Sequence, residues 1–137
     1  MNGPRFGYVE RMADSKPRDL CDRTFQFASD IVTLCRVLSR EPGVCRQVAG
    51  QLLRAGTSVG ANAEEAKAAF TRREFACKNC LVLREARESH YWLRLVAANG
   101  LAPHGAVLPL VQESDELVAI YTTIVKRSRE PRRSPSV

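Results

Sequence analysis

The groups able to carry chemistry in this 137-residue chain are five cysteines, two histidines and fifteen carboxylates, and their spacing limits what that chemistry can be. Helical bundles hold di-metal centres through Glu-x-x-His pairs, which place two ligands on one helix face. Here Glu88 and His90 stand two apart, Glu85 is followed three residues on by Glu88 itself, and His104 sits beside Gly105 in a segment that reads as loop. That spacing builds no such centre, and neither a metal nor a cofactor is expected. Cys77-Lys78-Asn79-Cys80 is a single C-x-x-C. Structural zinc needs a second pair or histidines at loop spacing, and a thioredoxin-type motif needs a preceding strand. An odd number of cysteines does not suit a disulfide framework, so all five read as reduced, small apolar side chains filling a core or an interface. Gly56 and Gly60 lack the following Lys-Ser/Thr and the preceding strand of a phosphate-cradling loop. No catalytic residue is expected, and the chain reads as non-enzymatic.

The charge is more informative. Lys and Arg outnumber Asp and Glu by 21 to 15, a formal +6, and the surplus is localised. Arg72, Arg73, Lys78, Arg84, Arg87 and Arg94 face only Glu74, Glu85 and Glu88 over residues 72–98, and Lys126, Arg127, Arg129, Arg132 and Arg133 face only Glu130. The guanidinium fork matches phosphate oxygens, so Arg72, Arg73, Lys78, Arg84, Arg87 and Arg94, with Arg129, Arg132 and Arg133 as an added arm, are the candidate contacts to RNA or DNA. A solvated helix face gives the same surplus a plainer meaning. Pairing of Glu85 and Glu88 with Lys or Arg, or of Arg84 and Arg87 with Glu64 and Glu65, across helices would neutralise part of the patch.

Apolar residues recur every three to four positions and alternation of period two is absent, which predicts helices. The first is expected over about 19–40, with Phe27, Ile31, Leu34 and Leu38 inward, Asp19 as cap and Glu41-Pro42-Gly43 as stop. A second is expected over about 44–70, its stripe running from Val48 through Leu52, Ala55, Val59, Ala63 and Ala66 to Phe70. Gly56 and Gly60 interrupt it, each at a cost of roughly 1 kcal/mol relative to Ala, so close approach of a neighbouring helix is the expected compensation. Asn62, Glu64 and Glu65 are read with them as helix-packing groups that hydrogen-bond between helices. Thr71-Arg72-Arg73-Glu74 is a capping-box pattern opening a third helix over about 72–98, with Phe75, Val82, Leu83, Ala86, Leu93, Val96 and Ala97 inward and Asn99-Gly100 as stop. Pro109 suits the first turn of a fourth helix over about 107–126. The expected fold is all-α, an antiparallel up-down four-helix bundle spanning 19–127, with residues 1–18 and 128–137 as flexible tails. Leu81, Trp92 and Leu95, and Val111, Val118 and Val125, form second apolar faces, which predict self-association. Charges crowd the first thirty residues, and no run approaches the roughly 18 apolar residues of a membrane span, so a soluble cytoplasmic domain without membrane contact is expected.

The run from Gln51 to Ala66, then Thr71-Arg-x-Glu-Phe75, then Leu83-Arg84-Glu85-Ala86-Arg87-Glu88-Ser89-His90-Tyr91-Trp92-Leu93-Arg94-Leu95, resembles the four-helix bundle family that includes proteins encoded in intervening sequences of bacterial 23S ribosomal RNA genes. The resemblance covers about residues 19–127 and leaves out the tails and the cysteines. It implies a left-handed up-down bundle assembling as a ring-like homopentamer, with no established enzymatic activity. The group is also similar to the accessory variability protein of diversity-generating retroelements, a basic pentamer associated with nucleic acid and a reverse transcriptase. Two functional expectations follow: a homo-oligomer that binds nucleic acid through a composite basic surface, or a scaffold for another protein with Tyr91 and Trp92 as aromatic anchors, core packing being the plainer role for Trp92.

Overall fold

The computed structural model describes residues 19–131, and all regular structure among them is helical. Four helices follow in order: α1 (Leu20–Leu38), α2 (Val44–Lys67), α3 (Arg72–Ala98) and α4 (His104–Ser128). Short connections reverse the chain each time, so neighbours run antiparallel in an up-down bundle. α2 packs along α1 and α3, and α3 along α2 and α4, while α1 and α4 are the least intimate of the adjoining pairs.

Each boundary has a local cause. Asp19 accepts the amide of Cys21 at 2.9 Å and opens α1. Lys67 Nζ donates to the other carboxylate oxygen of Asp19 at 2.8 Å, tying the start of α1 to the end of α2. Gly43, with φ of +90°, takes the backbone through the turn into α2. Thr71 Oγ1 accepts the amide of Glu74 at 3.0 Å, and the Glu74 carboxylate accepts the amide of Phe70 at 3.2 Å, one residue ahead of the cap. α3 ends in a Schellman turn. Leu101 N donates to Val96 O, Gly100 N donates to Ala97 O, and Gly100 supplies the left-handed residue at φ +61°.

Two boundaries differ from the sequence expectation. α2 closes at Lys67 rather than near residue 70, so Phe70 falls in the turn and is 98% exposed instead of ending the stripe. The chain must reach an extended Thr71 to cap α3, and four residues leave no room for another turn of α2. α4 opens at His104, with Pro103 as cap, rather than at about 107, and Pro109 stands inside the helix rather than in its first turn. The first amides of a helix have no partner within it, so His104 and Gly105 are tolerated there despite their poor propensity. The calls on residues 1–18 lie outside the described residues. At the other end α4 continues through Ser128, the first residue assigned to the basic tail.

The core draws on all four helices through Phe27, Ile31, Leu52, Val59, Val82, Leu93, Val96, Val107, Leu117 and Tyr121. Phe75 is partly exposed and does not join it. Val111 and Val118, expected on an outward second face, pack against this core instead, and Val125 is buried within it; Trp92, whose plainer expected role was core packing, also packs against it. Large exposed apolar side chains are elsewhere, at Phe25, Val32 and Val37 on α1, Val44 and Leu53 on α2, and Leu108 on α4, besides Phe70, Phe75 and Tyr91.

The two interior glycines lie against α1. A Cβ on Gly56 would stand 2.8 Å from Cγ2 of Ile31, and one on Gly60 would stand 3.3 Å from the carbonyl oxygen of Thr24. Cys21 Sγ donates to Ala63 O at 3.7 Å and Cys35 Sγ to Ala49 O at 3.4 Å, so two thiols mark the ends of the same seam. Burial pushes the Cys35 thiol up to about 12. Small residues on α2 thus let α1 lie close to it from Ala49 to Ala63. Asn62, by contrast, donates to Ser58 O of its own helix, and Glu64 and Glu65 are exposed to solvent; none of the three bridges two helices. All three stand off the stripe of Gly56, Gly60 and Ala63 that faces α1, which explains the difference from the expected interhelical role.

Candidate nucleic-acid interface

α3 is 27 residues long and buries one side against α2 and α4. Residues three and four apart share a helix face, and counting from Arg73 in such steps gives Cys77, Cys80, Arg84, Arg87, Tyr91 and Arg94. All of these are exposed except the half-buried Cys80. Four of the six candidate cations on α3 therefore stand on a single outward line about 32 Å long at ~1.5 Å per residue. No acidic residue occupies that line.

The other two cations are placed differently. Lys78 is half-buried and lies two turns from Glu85, on the flank facing α2. Arg72 points to the end of α4, where its Nη2 donates to the carbonyl oxygen of Glu130 at 3.2 Å. Arg129 extends from the close of α4 toward α3, and its Nη2 reaches Cys80 Sγ at 3.5 Å. Arg132 and Arg133 lie outside the described residues. Cys77 is exposed and is not core filler; Cys80 packs against the edge of the core, with the guanidinium of Arg129 over its thiol, and Cys21, Cys35 and Cys45 are buried. Among the described residues no group of three or more His, Cys, Asp or Glu could hold a metal ion.

The acids of α3 are committed to α2. Arg54 donates through Nη1 to Glu85 at 3.4 Å and through Nη2 to Glu88. The hydrogen bond from Arg54 holds the Glu88 carboxyl below the usual glutamate range, and the two carboxylates hold Arg54 above its ordinary value. Glu88 also accepts from Trp92 Nε1 at 3.3 Å. Arg84 and Arg87, adjacent to these acids in sequence, consequently make no ion pair with them, and neither do Glu64 and Glu65 reach across to neutralise them. The role of Arg54 had no local signal, because its partners are 31 and 34 residues away. The place of Tyr91 within the basic line did have one: its spacing from Arg84, Arg87 and Arg94 is readable directly.

A second polar cluster ties α1 to α4. Arg23 donates to both oxygens of the buried Glu113, at 2.9 and 2.6 Å, and to Glu116 at 2.9 Å. Burial, then the hydrogen bond with Glu113, raises the Glu116 carboxyl above its ordinary range. His90 Nδ1 meets Ser114 Oγ at 2.9 Å and links α3 to the same stretch of α4. These contacts lie between helices and position them.

Fold and surface define a class first: an all-helical up-down bundle with one strongly basic outward helix. The chain belongs to the 23S rRNA-intervening sequence protein family, whose model matches residues 18–123. It is similar to the crystal structure of a protein of unknown function from the S23 ribosomal protein family of Bacteroides thetaiotaomicron VPI-5482. The two share 33% identity over 79% of this chain and 99% of that chain, with a TM-score of 0.71. No curated protein matches the sequence. No helix among the described residues is long and apolar enough to cross a membrane.

Proposed function

We propose that this chain is a non-enzymatic, cytoplasmic homo-oligomer, a pentamer by its resemblance to the family, that binds RNA or DNA through α3. The observation that carries the reading is the exposed line of Arg73, Arg84, Arg87 and Arg94, none of which forms an ion pair among the described residues, while Arg54 occupies the nearby Glu85 and Glu88. Isolated surface arginines are common, but arginines aligned on one helix face with no acidic residue among them are the footprint a polyphosphate needs. Self-association is supported by exposed Phe25, Val44, Leu53 and Leu108, which the subunit's own core leaves uncovered. Repeating the line in an oligomer multiplies a modest monomer charge.

Mobility shift of a structured RNA at low and high salt tests the binding. A shift at low salt that fades at high salt is expected, and the double variant Arg84→Glu/Arg87→Glu should weaken it at least tenfold with the thermal midpoint unchanged. Absence of any shift at low salt overturns the reading, as does a double variant that binds like wild type. Light scattering on the same samples reports the subunit number with and without RNA, and a strictly monomeric mass overturns the oligomeric part.

A further inference from the structure

We infer that the outward line of α3 is a track for a single-stranded nucleic acid, with one base stacked on the ring of Tyr91; this rests on the nucleic-acid reading above and specifies its ligand. Tyr91 is 52% exposed and stands between Arg87 and Arg94 on the line. Trp92 packs against the core and Tyr91 does not, so about half of an aromatic side chain is left in solvent at this place. The residue is also braced. Trp92 meets it edge-on, with ring centroids 5.3 Å apart and planes at 77°. Trp92 is itself anchored by its Nε1 on Glu88, which Arg54 holds from α2. A chain of contacts reaching into the neighbouring helix thus fixes the wall against which the Tyr91 ring rests.

Charge and shape then select the ligand. The four arginines lie along a rod, in a nearly straight row. Duplex phosphates wind around a cylinder and leave such a row after a short crossing, whereas a flexible strand can follow it from Arg73 to Arg94. A duplex also keeps its bases stacked and paired, and extruding one costs a few kcal/mol. A single strand offers its bases freely to an aromatic face flanked by cations, the combination that non-sequence-specific single-strand sites use. Arg54 keeps the carboxylates of Glu85 and Glu88 turned to the α2 side, so the strand would meet guanidinium groups, the Cys77 thiol and the tyrosine ring along this face.

Fluorescence anisotropy with the full chain tests this, using a labelled 20-nucleotide oligouridylate, which has no stable self-structure, and a 20-base-pair RNA duplex. Wild type should bind the oligouridylate more tightly than the duplex. Tyr91→Ala should weaken the single strand by about 5- to 150-fold, the range for loss of one base–aromatic stack, while duplex binding changes less than twofold. Tyr91→Phe should restore single-strand binding, and an unchanged thermal midpoint for both variants shows that folding is not the cause. Duplex binding as tight as single-strand binding, or a Tyr91→Ala variant that holds the oligouridylate like wild type, overturns the inference and leaves nucleic-acid binding standing. Failure of both probes to bind at low salt removes the parent reading, and this one with it.

Discussion

A methyl group placed on Gly56 would stand 2.8 Å from Cγ2 and 2.9 Å from Cγ1 of Ile31, a fully buried, β-branched side chain with little freedom to turn aside. Gly56→Ala therefore gains roughly 1 kcal/mol of helix propensity and meets an overpacking cost of about 1–3 kcal/mol, for an expected net loss of about 1 kcal/mol. Gly60→Ala meets a carbonyl oxygen at 3.3 Å and should come out near neutral. Gly50 is exposed on the same helix with nothing within 4 Å of its added Cβ, so Gly50→Ala should stabilise by about 0.5–1 kcal/mol. Urea denaturation of the three variants checks the order. Ile31→Ala combined with Gly56→Ala should cost less than the sum of the two changes, because the first removes the atoms the second strikes. Additive losses would mean that the α1–α2 seam does not explain the glycine. Any explanation by helix propensity alone ranks the three positions equally, and the seam does not.

At the scale of the element, the weakest junction is the one between α1 and α4, and a charged cluster holds it. One guanidinium, Arg23, serves two carboxylates, and the less buried Glu116 is the one whose proton is retained more easily than usual. A carboxyl raised in the folded state adds nothing to the pH dependence below its ordinary value, where both states are protonated. Its ionisation penalty appears as pH climbs from that value past the raised one, so its contribution to stability falls with rising pH. Glu116→Gln abolishes that slope: the melting temperature of the variant relative to wild type should be more favourable at pH 7 than at pH 4. An equal difference at both pH values would count against the cluster. Glu113→Gln is the contrast, since it removes the buried carboxylate that Arg23 grips through two nitrogens and should lower stability at pH 7 by about 2 kcal/mol, under the roughly 3–5 kcal/mol of a wholly buried pair because Arg23 keeps a quarter of its surface. Neither clamp could be read from sequence, since Arg23 and Arg54 find their partners 90 and about 30 residues away. What was legible is what has a local cause: the Asp19 and Thr71 caps, the Asn99-Gly100 stop, the inward stripes of α1 and α3, and the glycine seam. The start of α4 was obscured because Pro, His and Gly in sequence look like loop, although the first turn of a helix accepts all three.

Taken whole, the molecule keeps its charge apart from its cohesion. The contacts that join helices use Arg23, Arg54 and Lys67 with Glu113, Glu116, Glu85, Glu88 and Asp19, while Arg73, Arg84, Arg87 and Arg94 take no part in them. Variants along the outward line should accordingly alter binding without altering folding, which is what makes the binding experiments above interpretable. The candidate residues were legible as a basic helix; which of them share a line needed only the helical spacing, and which are unneutralised needed the tertiary partners of Glu85 and Glu88.

The Lys67–Asp19 pair and the Arg72–Glu130 hydrogen bond sit at either side of the four-residue turn between α2 and α3. Both ends of the described chain therefore arrive at one pole of the bundle, and the turns at Gly43 and Gly100 occupy the opposite pole. A circular permutant that joins residues 19 and 131 through a short Gly/Ser linker and opens the chain at Gly43 should keep the helical signal and cooperative melting of the parent. The rearrangement would also free the pole that carries Phe70, Arg72 and Arg129 from whatever is fused to the natural termini, so that a tag or fluorophore could be attached at the far end of the bundle without crowding it.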